Sequence, residues 1–495
     1  MRTAVLLASA LAGCTVGPRY AGPPAGAGTS FVRAGDLAAT SPALAEWWTV
    51  LGDARLDALE AEALARSPDV AVAAARIAQA RAALGQTRAS NLPGIKASAL
   101  YAHAHIPGVS FGRPVTTEPS ATAGDSDADD DLDLFNLGFN ASWEVDLFGG
   151  RRHAVEAARA TEEEMEASRS DAQVSLTAAV ANAYLGLRDH QRQLALATRS
   201  IAMQEERLAL TSQRYAGGTA SRLDVERLSQ QLDRTRADAA PVAAAIDGDL
   251  DQLATLAGAE PGTLDADLRA DAPIPLPPAQ VAVGDPAALI RRRPDVRAAE
   301  RALAADTARI GQARAARFPQ LSLMGIFGIG GSHPSDLTHL DDFTALAAPQ
   351  LSWSFLDFGR TAARVHQAEG ARDETEARYR KAVLGALRDA EDSLSRFRAQ
   401  RVAVATLARA RASADAVADL SNQRYRAGTT TLIDLLDAQR QQIAAEQSLA
   451  DAEAGLTRDF VAIHKALGLG WRNESATPKP ALAAAGARDP QPSRR

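Results

Sequence analysis

Residues 423–439 read QRYRAGTTTLIDLLDAQ, and an earlier stretch, residues 213–225, reads QRYAGGTASRLDV. The two stretches share QRY, Gly-Thr and an aspartate at a constant offset of 210 residues. Both lie between long segments of helix-forming residues, and glycine followed by Ser or Thr suits the end of one helix and the start of the next. Each stretch is therefore predicted to be the tip of a helical hairpin. The predicted tip residues are Gly218, Thr219, Gly428 and Thr429.

The rest of the chain repeats around these tips. Pro-Asp-Val occurs at residues 68–70 and 294–296, an offset of 226, and Trp143 precedes a glycine-containing turn that resembles the one after Trp353, an offset of 210. This period is far longer than the 20 to 50 residues of a solenoid repeat. The sequence therefore predicts one large unit that is duplicated.

Composition excludes several classes of protein. The chain has 495 residues, a net charge of −7 with both signs interspersed, and one cysteine, which argues against nucleic acid as a partner and against a disulfide framework. No nucleophile elbow, HExxH motif or phosphate-binding loop is present. His103 and His105 lack a third ligand, and the acidic loop at residues 125–131 lacks the pattern of a calcium loop. We expect no metal, no cofactor and no enzymatic activity.

The N-terminus has the pattern of a secreted lipoprotein. A short apolar run at residues 4–12 is followed by Leu11-Ala12-Gly13-Cys14, which resembles the bacterial lipobox. Cys14 is predicted to carry N-palmitoyl and S-diacylglycerol groups, and several acyl chains would anchor it stably. A buried structural cysteine is the alternative. Thr15 in place of aspartate after the cysteine favours the outer membrane.

Alternating residues predict strands between the helical segments. Residues 135–147 place Phe135, Leu137 and Trp143 on one face and polar residues on the other, and residues 350–355 repeat the pattern. Weaker partners precede them at residues 95–105 and 320–330. About ten residues suit a tilted strand that crosses a bilayer. The pattern alone leaves an ordinary soluble hairpin as an equal alternative.

Long helices follow each strand pair. Residues 151–215 and 360–425 contain no proline and are rich in Ala, Arg, Glu, Gln and Leu, so each predicts a helix of roughly 100 Å. Helices of this length need lateral partners, and the return arms at residues 222–256 and 432–467 supply them. Trp47 and Trp48 are predicted to be a packing anchor.

The predicted domain order follows from these elements. It runs from a signal peptide and a lipid-anchored tether through two structural repeats, each with two strands and one helical hairpin, to a disordered tail. The bounds are 1–13 for the signal; 14–45 for the tether; 46–270 for the first repeat, with strands at about 92–105 and 134–148 and a hairpin at 151–258; 271–470 for the second repeat, with a helix at 286–317, strands at about 318–331 and 343–358 and a hairpin at 360–468; and 471–495 for the tail.

Four strands are too few to close a membrane barrel, because single-chain barrels begin at eight strands and open edges in lipid leave backbone groups unpaired. If the strands span a membrane, several chains must pool them. A pooled barrel joined to long helices and anchored by lipid is the plan of a duct.

With these features, the sequence resembles the TolC-like outer membrane factor family, in particular the NodT-type outer membrane lipoproteins of RND (resistance-nodulation-division) efflux systems. The resemblance rests on Cys14-Thr-Val-Gly-Pro-Arg-Tyr, on both Pro-Asp-Val helix starts, and on Gln423-Arg-Tyr-Arg-Ala-Gly followed by Leu435-Leu-Asp-Ala-Gln-Arg. It implies a mainly α protein with membrane β strands, and a homotrimer whose 12-stranded β-barrel continues into a periplasmic α-helical barrel.

The resemblance also implies partners and function. It predicts a passive outer membrane channel that conducts drugs or other small molecules from a periplasmic adaptor (membrane fusion) protein and an inner-membrane RND pump to the exterior. Asp434 and Asp437 match acidic rings at the periplasmic entrance of the family, and Ile433 matches an apolar constriction. Tyr425 and Asp224 match positions that hold the hairpins closed in some members. A type I protein secretion channel and a lipid-anchored coiled-coil scaffold are the alternatives.

Overall fold

The computed structural model describes residues 15–22, 30–35, 37, 45–105, 131–338, 341 and 343–471. The predicted signal peptide, Cys14, the acidic loop at residues 125–130, and all but the first residue of the predicted tail lie outside these residues. In chain order, the helices are α1 (Ala54–Arg66), α2 (Pro68–Ala89), α3 (Gly150–Ala216), α4 (Arg222–Leu256), α5 (Asp265–Leu268), α6 (Pro286–Arg292), α7 (Pro294–Ala315), α8 (Arg360–Arg426) and α9 (Leu432–Ala466). The strands are β1 (Gly94–His105), β2 (Asp131–Val145), β3 (Gln320–Gly331) and β4 (Phe343–Ser352).

The strands form one antiparallel sheet in the order β1-β2-β3-β4. Gly94 lies opposite Ser142 and Gln320 lies opposite Ser352, so the two hairpins of the sheet have the same register at the repeat offsets of 226 and 210. Large apolar side chains of the sheet, such as Leu137 and Phe139, are more than half exposed. An apolar face of this kind is what a lipid-facing sheet presents.

Several bounds differ from the sequence-based expectation. Strand β4 ends at Ser352, six residues before the expected end. Ser352 lies opposite Gln320, the first residue of β3, so the residues after Ser352 have no β3 residue to pair with. Strand β2 ends at Val145, three residues before the expected end and opposite Leu321, the second residue of β3. The helix expected at 286–317 is two helices, since the residue before Pro294 is disfavoured in the helical region and adopts ψ 119°.

The chain divides into two compact units. Unit 1 takes its described residues from Met1–Ala27, Ala71–Arg169 and Ile290–Leu387, and contains the sheet. Unit 2 takes its described residues from Gly28–Val70, Ser170–Leu289 and Arg388–Arg495, and contains both hairpin tips. Each unit draws on both sequence repeats, so the division into repeats remains a prediction.

The core of unit 2 contains the predicted tryptophan anchor. Trp47 and Trp48 are 2% and 4% exposed. Trp47 stacks on His464, with ring centroids 5.0 Å apart, and meets Phe460 edge-on at 6.1 Å. The prediction that these tryptophans are a packing anchor is confirmed, and α9 is the helix they hold.

Candidate functional site

Both hairpin tips turn on a glycine with a left-handed backbone. Gly218 has φ 72° and Gly428 has φ 70°, a region that glycine enters without the steric cost of a Cβ atom. The next residue closes each turn: the Thr219 amide donates to the Arg214 carbonyl at 2.8 Å, and the Thr429 amide donates to the Arg424 carbonyl at 2.9 Å. The tips therefore have the same construction in both hairpins.

A capping box starts the return helix of each hairpin. In α4, the Asp224 amide donates to the Ser221 hydroxyl at 3.1 Å, and the Ser221 amide donates to the Asp224 carboxylate at 3.3 Å. In α9, the Asp434 amide donates to the Thr431 hydroxyl at 3.2 Å, and the Thr431 amide donates to the Asp434 carboxylate at 3.1 Å. These reciprocal bonds satisfy backbone donors that a helix start leaves unpaired.

Asp434 accepts more hydrogen bonds than its counterpart. Its Oδ2 atom accepts from the Thr431 hydroxyl at 2.7 Å, as Asp224 accepts from the Ser221 hydroxyl at 2.6 Å, and it accepts one further bond from the Thr430 hydroxyl at 2.9 Å. The hydrogen bonds from Thr431, followed by the one from Thr430, lower the pKa of the Asp434 carboxyl below its ordinary value. The carboxylate is therefore ionised at neutral pH and is held at the helix start.

One side-chain contact links the two tips directly. Arg214, at the end of α3, donates from Nη1 to the Tyr425 hydroxyl of α8 at 2.8 Å, and its guanidinium lies 5.9 Å from the centre of the Tyr425 ring. We call this pair the tip latch. Among the described residues, Tyr425 is bonded to Arg214 and not to Asp224, which is bonded within its own capping box.

Ile433 and Asp437 lie beside the first hairpin. They line a cleft of about 290 Å³ together with Met203 and Arg207 of α3 and residues of α4. Asp437 forms an ion pair with Arg440, one turn further along α9, and Ile433 is 46% exposed. Burial lowers the pKa of the Arg207 guanidinium. The cleft thus combines an apolar side chain, an acid and a partly desolvated base.

Further from the tips, a buried carboxylate joins three helices of unit 2. Glu446 of α9 lies 3.1 Å from Arg192 and 3.8 Å from Arg199, both on α3, and 3.9 Å from Arg411 on α8. The glutamate side chain is only 11% exposed, whereas the three arginines keep contact with solvent. This arrangement holds the second hairpin to the first.

The structure therefore places all the predicted gate residues at the tips, and it adds residues that the sequence did not single out. Those additions are Arg214, Arg207, Arg440 and Glu446. Two of them lie in motifs that the sequence displays: Arg214 in the repeated QRY motif, and Arg440 at the end of the motif that begins at Leu435. No sequence pattern marked Arg207 or Glu446. The lipidation site, Cys14, lies outside the described residues.

No helix in the described part of the chain is both long enough and apolar enough to cross a bilayer. No group of three or more His, Cys, Asp or Glu residues in the same part of the chain is arranged to hold a metal ion.

A sheet with an exposed apolar face, combined with two duplicated helical hairpins whose outgoing helices have 67 residues each, defines a TolC-like channel protomer. The family model described as "Outer membrane efflux protein" matches residues 59–259 and again residues 286–469. The chain belongs to this family, which consists of channel proteins rather than enzymes. It is the outer membrane channel component of a tripartite efflux system and extends into the periplasm.

Individual relatives are similar to this chain over nearly its whole length. The pyoverdine export outer membrane protein OpmQ of Pseudomonas aeruginosa is 31% identical over 434 residues, covering 87% of this chain and 88% of the relative. Nodulation protein T of Rhizobium leguminosarum bv. trifolii is 28% identical over 461 residues, covering 93% and 95%. The solved structure of the outer-membrane channel OprN has a TM-score of 0.83 at 33% identity, covering 92% of this chain and all of that one.

Proposed function

We propose that three copies of this chain pool their four strands each into one 12-stranded barrel, and that the hairpin tips of the trimer form a gate at its periplasmic end. The tip latch carries the proposal about the gate. It is a hydrogen bond between the two hairpins at the point where each reverses direction. Opening the gate means that the tips separate around Gly218 and Gly428 and that the latch breaks.

The predicted acidic residues act at the same place. In the trimer, Asp434 and Asp437 would surround a narrow entrance with like charges and favour cations. Asp434 also holds the start of α9, so it serves the structure of the tip as well as its charge. Ile433 supplies an apolar constriction beside them, and Asp224 keeps the first hairpin capped.

The partners in this proposal are a periplasmic adaptor protein and an inner-membrane RND pump. The channel holds no energy source of its own, so it conducts drugs or other small molecules passively once the adaptor stabilises the open tips. It catalyses no reaction and needs no cofactor. The name of one relative, OpmQ, describes it as exporting pyoverdine, which is consistent with small-molecule cargo.

We also propose that Cys14 carries the lipid anchor, and that residues 46–270 and 271–470 are the two repeats that each supply a strand pair and a hairpin. Mass spectrometry of the mature protein tests the anchor. The expected N-terminal residue is Cys14 with N-acyl and S-diacylglycerol groups, and a Cys14→Ser variant should lack them. An unmodified thiol at position 14 would contradict this proposal.

Native mass spectrometry of the detergent-purified protein tests the trimer. We expect a mass of three chains, and heat-modifiable migration on gels of the kind that membrane barrels show. A folded, lipidated protein that remains monomeric and shows no heat modifiability would favour the coiled-coil scaffold instead.

A further inference from the structure

The cleft beside Ile433 and Asp437, which we call the tip cleft, lies between the two hairpins within unit 2. Helices α3 and α4 of the first hairpin form one side of it, and α9 of the second hairpin forms the other. Its volume of about 290 Å³ is close to the small end of the range for ligand pockets, about 300–1,000 Å³. The tip cleft therefore has room for a compound with one small ring system or one short chain, and it is too small for a two-chain phospholipid.

Part of the lining is apolar. Ile433, Leu436 and Ile443 line the tip cleft from one face of α9, and Met203 lines it from α3. A methionine side chain is flexible and polarisable, so it adapts to apolar ligands of different shape. This part of the lining suits the apolar body of a ligand.

The charged side chains of the tip cleft are mostly cationic. They are three arginines, Arg207, Arg227 and Arg440, and one acid, Asp437. Asp437 forms an ion pair with Arg440, so its negative charge is already compensated. Among the described residues, Arg207 and Arg227 form no ion pair, and the tip cleft therefore carries an excess of positive charge.

Arg207 brings a buried donor to the tip cleft. Its Nη1 atom is out of contact with solvent and has no hydrogen-bond acceptor among the described residues. Burying a charged donor in this way costs free energy unless a partner is supplied. The residue that matches Arg207 at the offset of 210 is Val417 in the second hairpin. Because the two tips have the same construction, a helical hairpin of this kind does not require a cation at this position.

We infer that the tip cleft is a binding site for a small amphipathic anion. Its carboxylate, sulfate or sulfonate group binds the Arg207 guanidinium, whose planar fork matches such groups, and its apolar body packs against Met203 and Leu436. A compound bound there contacts both hairpins. Every lining residue belongs to one chain, so the inference goes beyond the proposed gate and does not depend on the trimer.

Two probes of the same shape test the choice of an anion. They are naphthoate and its neutral amide, naphthamide, each titrated calorimetrically into the full chain in a non-ionic detergent, with a titration into detergent alone subtracted. We expect one naphthoate site per chain and at least about tenfold weaker binding of naphthamide, because hydrogen bonds between charged groups are the stronger ones. Equal binding of the two probes would overturn the inference.

Arg207→Met tests the residue that selects the anion. It removes the guanidinium and keeps an apolar stem, so we expect naphthoate to bind at least about tenfold more weakly while naphthamide binding stays the same. The unfolding temperature should not fall, since Arg207 forms no ion pair with the rest of the described chain. Met203→Gln should weaken the binding of both probes, because it places a polar group against their rings.

The matched control is Arg222→Met. Arg222 is exposed, is paired with Glu226 on its own helix, and does not line the tip cleft. Naphthoate affinity should be unchanged in this variant, and an equal loss in Arg222→Met and Arg207→Met would overturn the site in favour of a general effect of charge. No naphthoate binding to the unchanged, folded protein would also overturn it and would leave the tip cleft to a protein partner. Neither result bears on the trimer or the latch, which are measured separately.

Discussion

Two carboxylates one turn apart, Asp434 and Asp437, do different work at the second tip. Asp434 is bound to Thr430 and Thr431 and completes a capping box. Asp437 is paired with Arg440 on the same helix face. The match to the family suggests that both belong to an acidic ring. Because their partners differ, replacing Asp434 should affect the structure differently from replacing Asp437. Experiments on the charge of the gate should therefore begin with Asp437.

We predict that Asp434→Ala loosens the start of α9 and that Asp437→Ala does not. The first change removes the acceptor for the Thr431 amide, whereas the second removes an exposed ion pair of the kind that contributes little. Hydrogen exchange of the amides at residues 432–436 should become several-fold faster only in Asp434→Ala. Equal protection in the two variants would contradict the structural role of Asp434.

The stability of this capping box should decrease only towards acidic pH. The pKa of Asp434 is lower in the folded protein than in the unfolded chain. The ionised carboxylate therefore stabilises the folded tip fully above the unfolded pKa, and this stabilisation is lost as pH falls through the folded pKa. The tip should therefore be insensitive to pH between neutrality and pH 5.

Glu60 of α1 differs from Asp434 because its carboxyl group is buried. It is fully buried, and neither carboxyl oxygen has a hydrogen-bond partner among the described residues. Burial, followed by the nearby Asp57 carboxylate, raises the pKa of Glu60 well above its ordinary value. The fold therefore favours the protonated form, and the stabilisation that this provides is lost as pH rises through the folded pKa.

We predict that Glu60→Gln stabilises the protein at pH 8, by about 1–3 kcal/mol, and has little effect at pH 4.5. The amide keeps the shape of the side chain without the charge that burial disfavours. Thermal unfolding at the two pH values measures the difference. A destabilisation at pH 8 would show that the ionised carboxylate has a partner in the native protein.

At the scale of elements, the packing of α9 against the N-terminal tryptophans carries a titratable group. His464 is buried between Trp47 and Phe460, and its Nδ1 lies 2.8 Å from the Phe460 carbonyl. Burial lowers the pKa of His464 to about 4, and the bond to the carbonyl opposes this only partly. The fold therefore holds a neutral imidazole.

We predict that the stability of the protein falls as pH decreases from about 6.5 to 4, because His464 is protonated in the unfolded chain over this range and remains neutral in the folded chain. The shift corresponds to about 3 kcal/mol. The unfolding temperature of the unchanged protein should fall over this range, and His464→Leu should remove most of the His464 contribution. The same pH slope in both proteins would assign it to other groups.

Sequence patterns predicted the elements because their causes are local. Alternating apolar residues set the strands, proline-free runs set the long helices, and the Gly-Thr tips follow from backbone conformation and capping. The strand ends were less predictable because they depend on the length of the partner: β4 stops at Ser352, where β3 begins. The tip latch was also missed, since Arg214 and Tyr425 are far apart in sequence and nothing local indicates their pairing.

At the scale of the whole molecule, duplication is the feature that the sequence reveals most clearly. Constant offsets of 210 and 226 recur as equal strand registers and as equivalent tryptophan hydrogen bonds. The family model shows the same duplication, because it matches residues 59–259 and again residues 286–469. The division into two compact units was not predictable in the same way, because each unit combines parts of both repeats.

The central claim is that this chain forms a trimeric duct whose tips are held closed by the latch. Single-channel conductance in a planar bilayer tests it most directly, with Tyr425→Phe and Arg214→Ala as test variants. Tyr215→Phe is the matched control, because Tyr215 is the counterpart of Tyr425 in the first hairpin.

We expect a small, cation-selective conductance for the unchanged protein and for Tyr215→Phe, and a several-fold larger one for both latch variants, since the hydrogen bond between the tips is lost. No conductance from folded, lipidated trimers would contradict the duct. Equal conductance in all four proteins would contradict the latch.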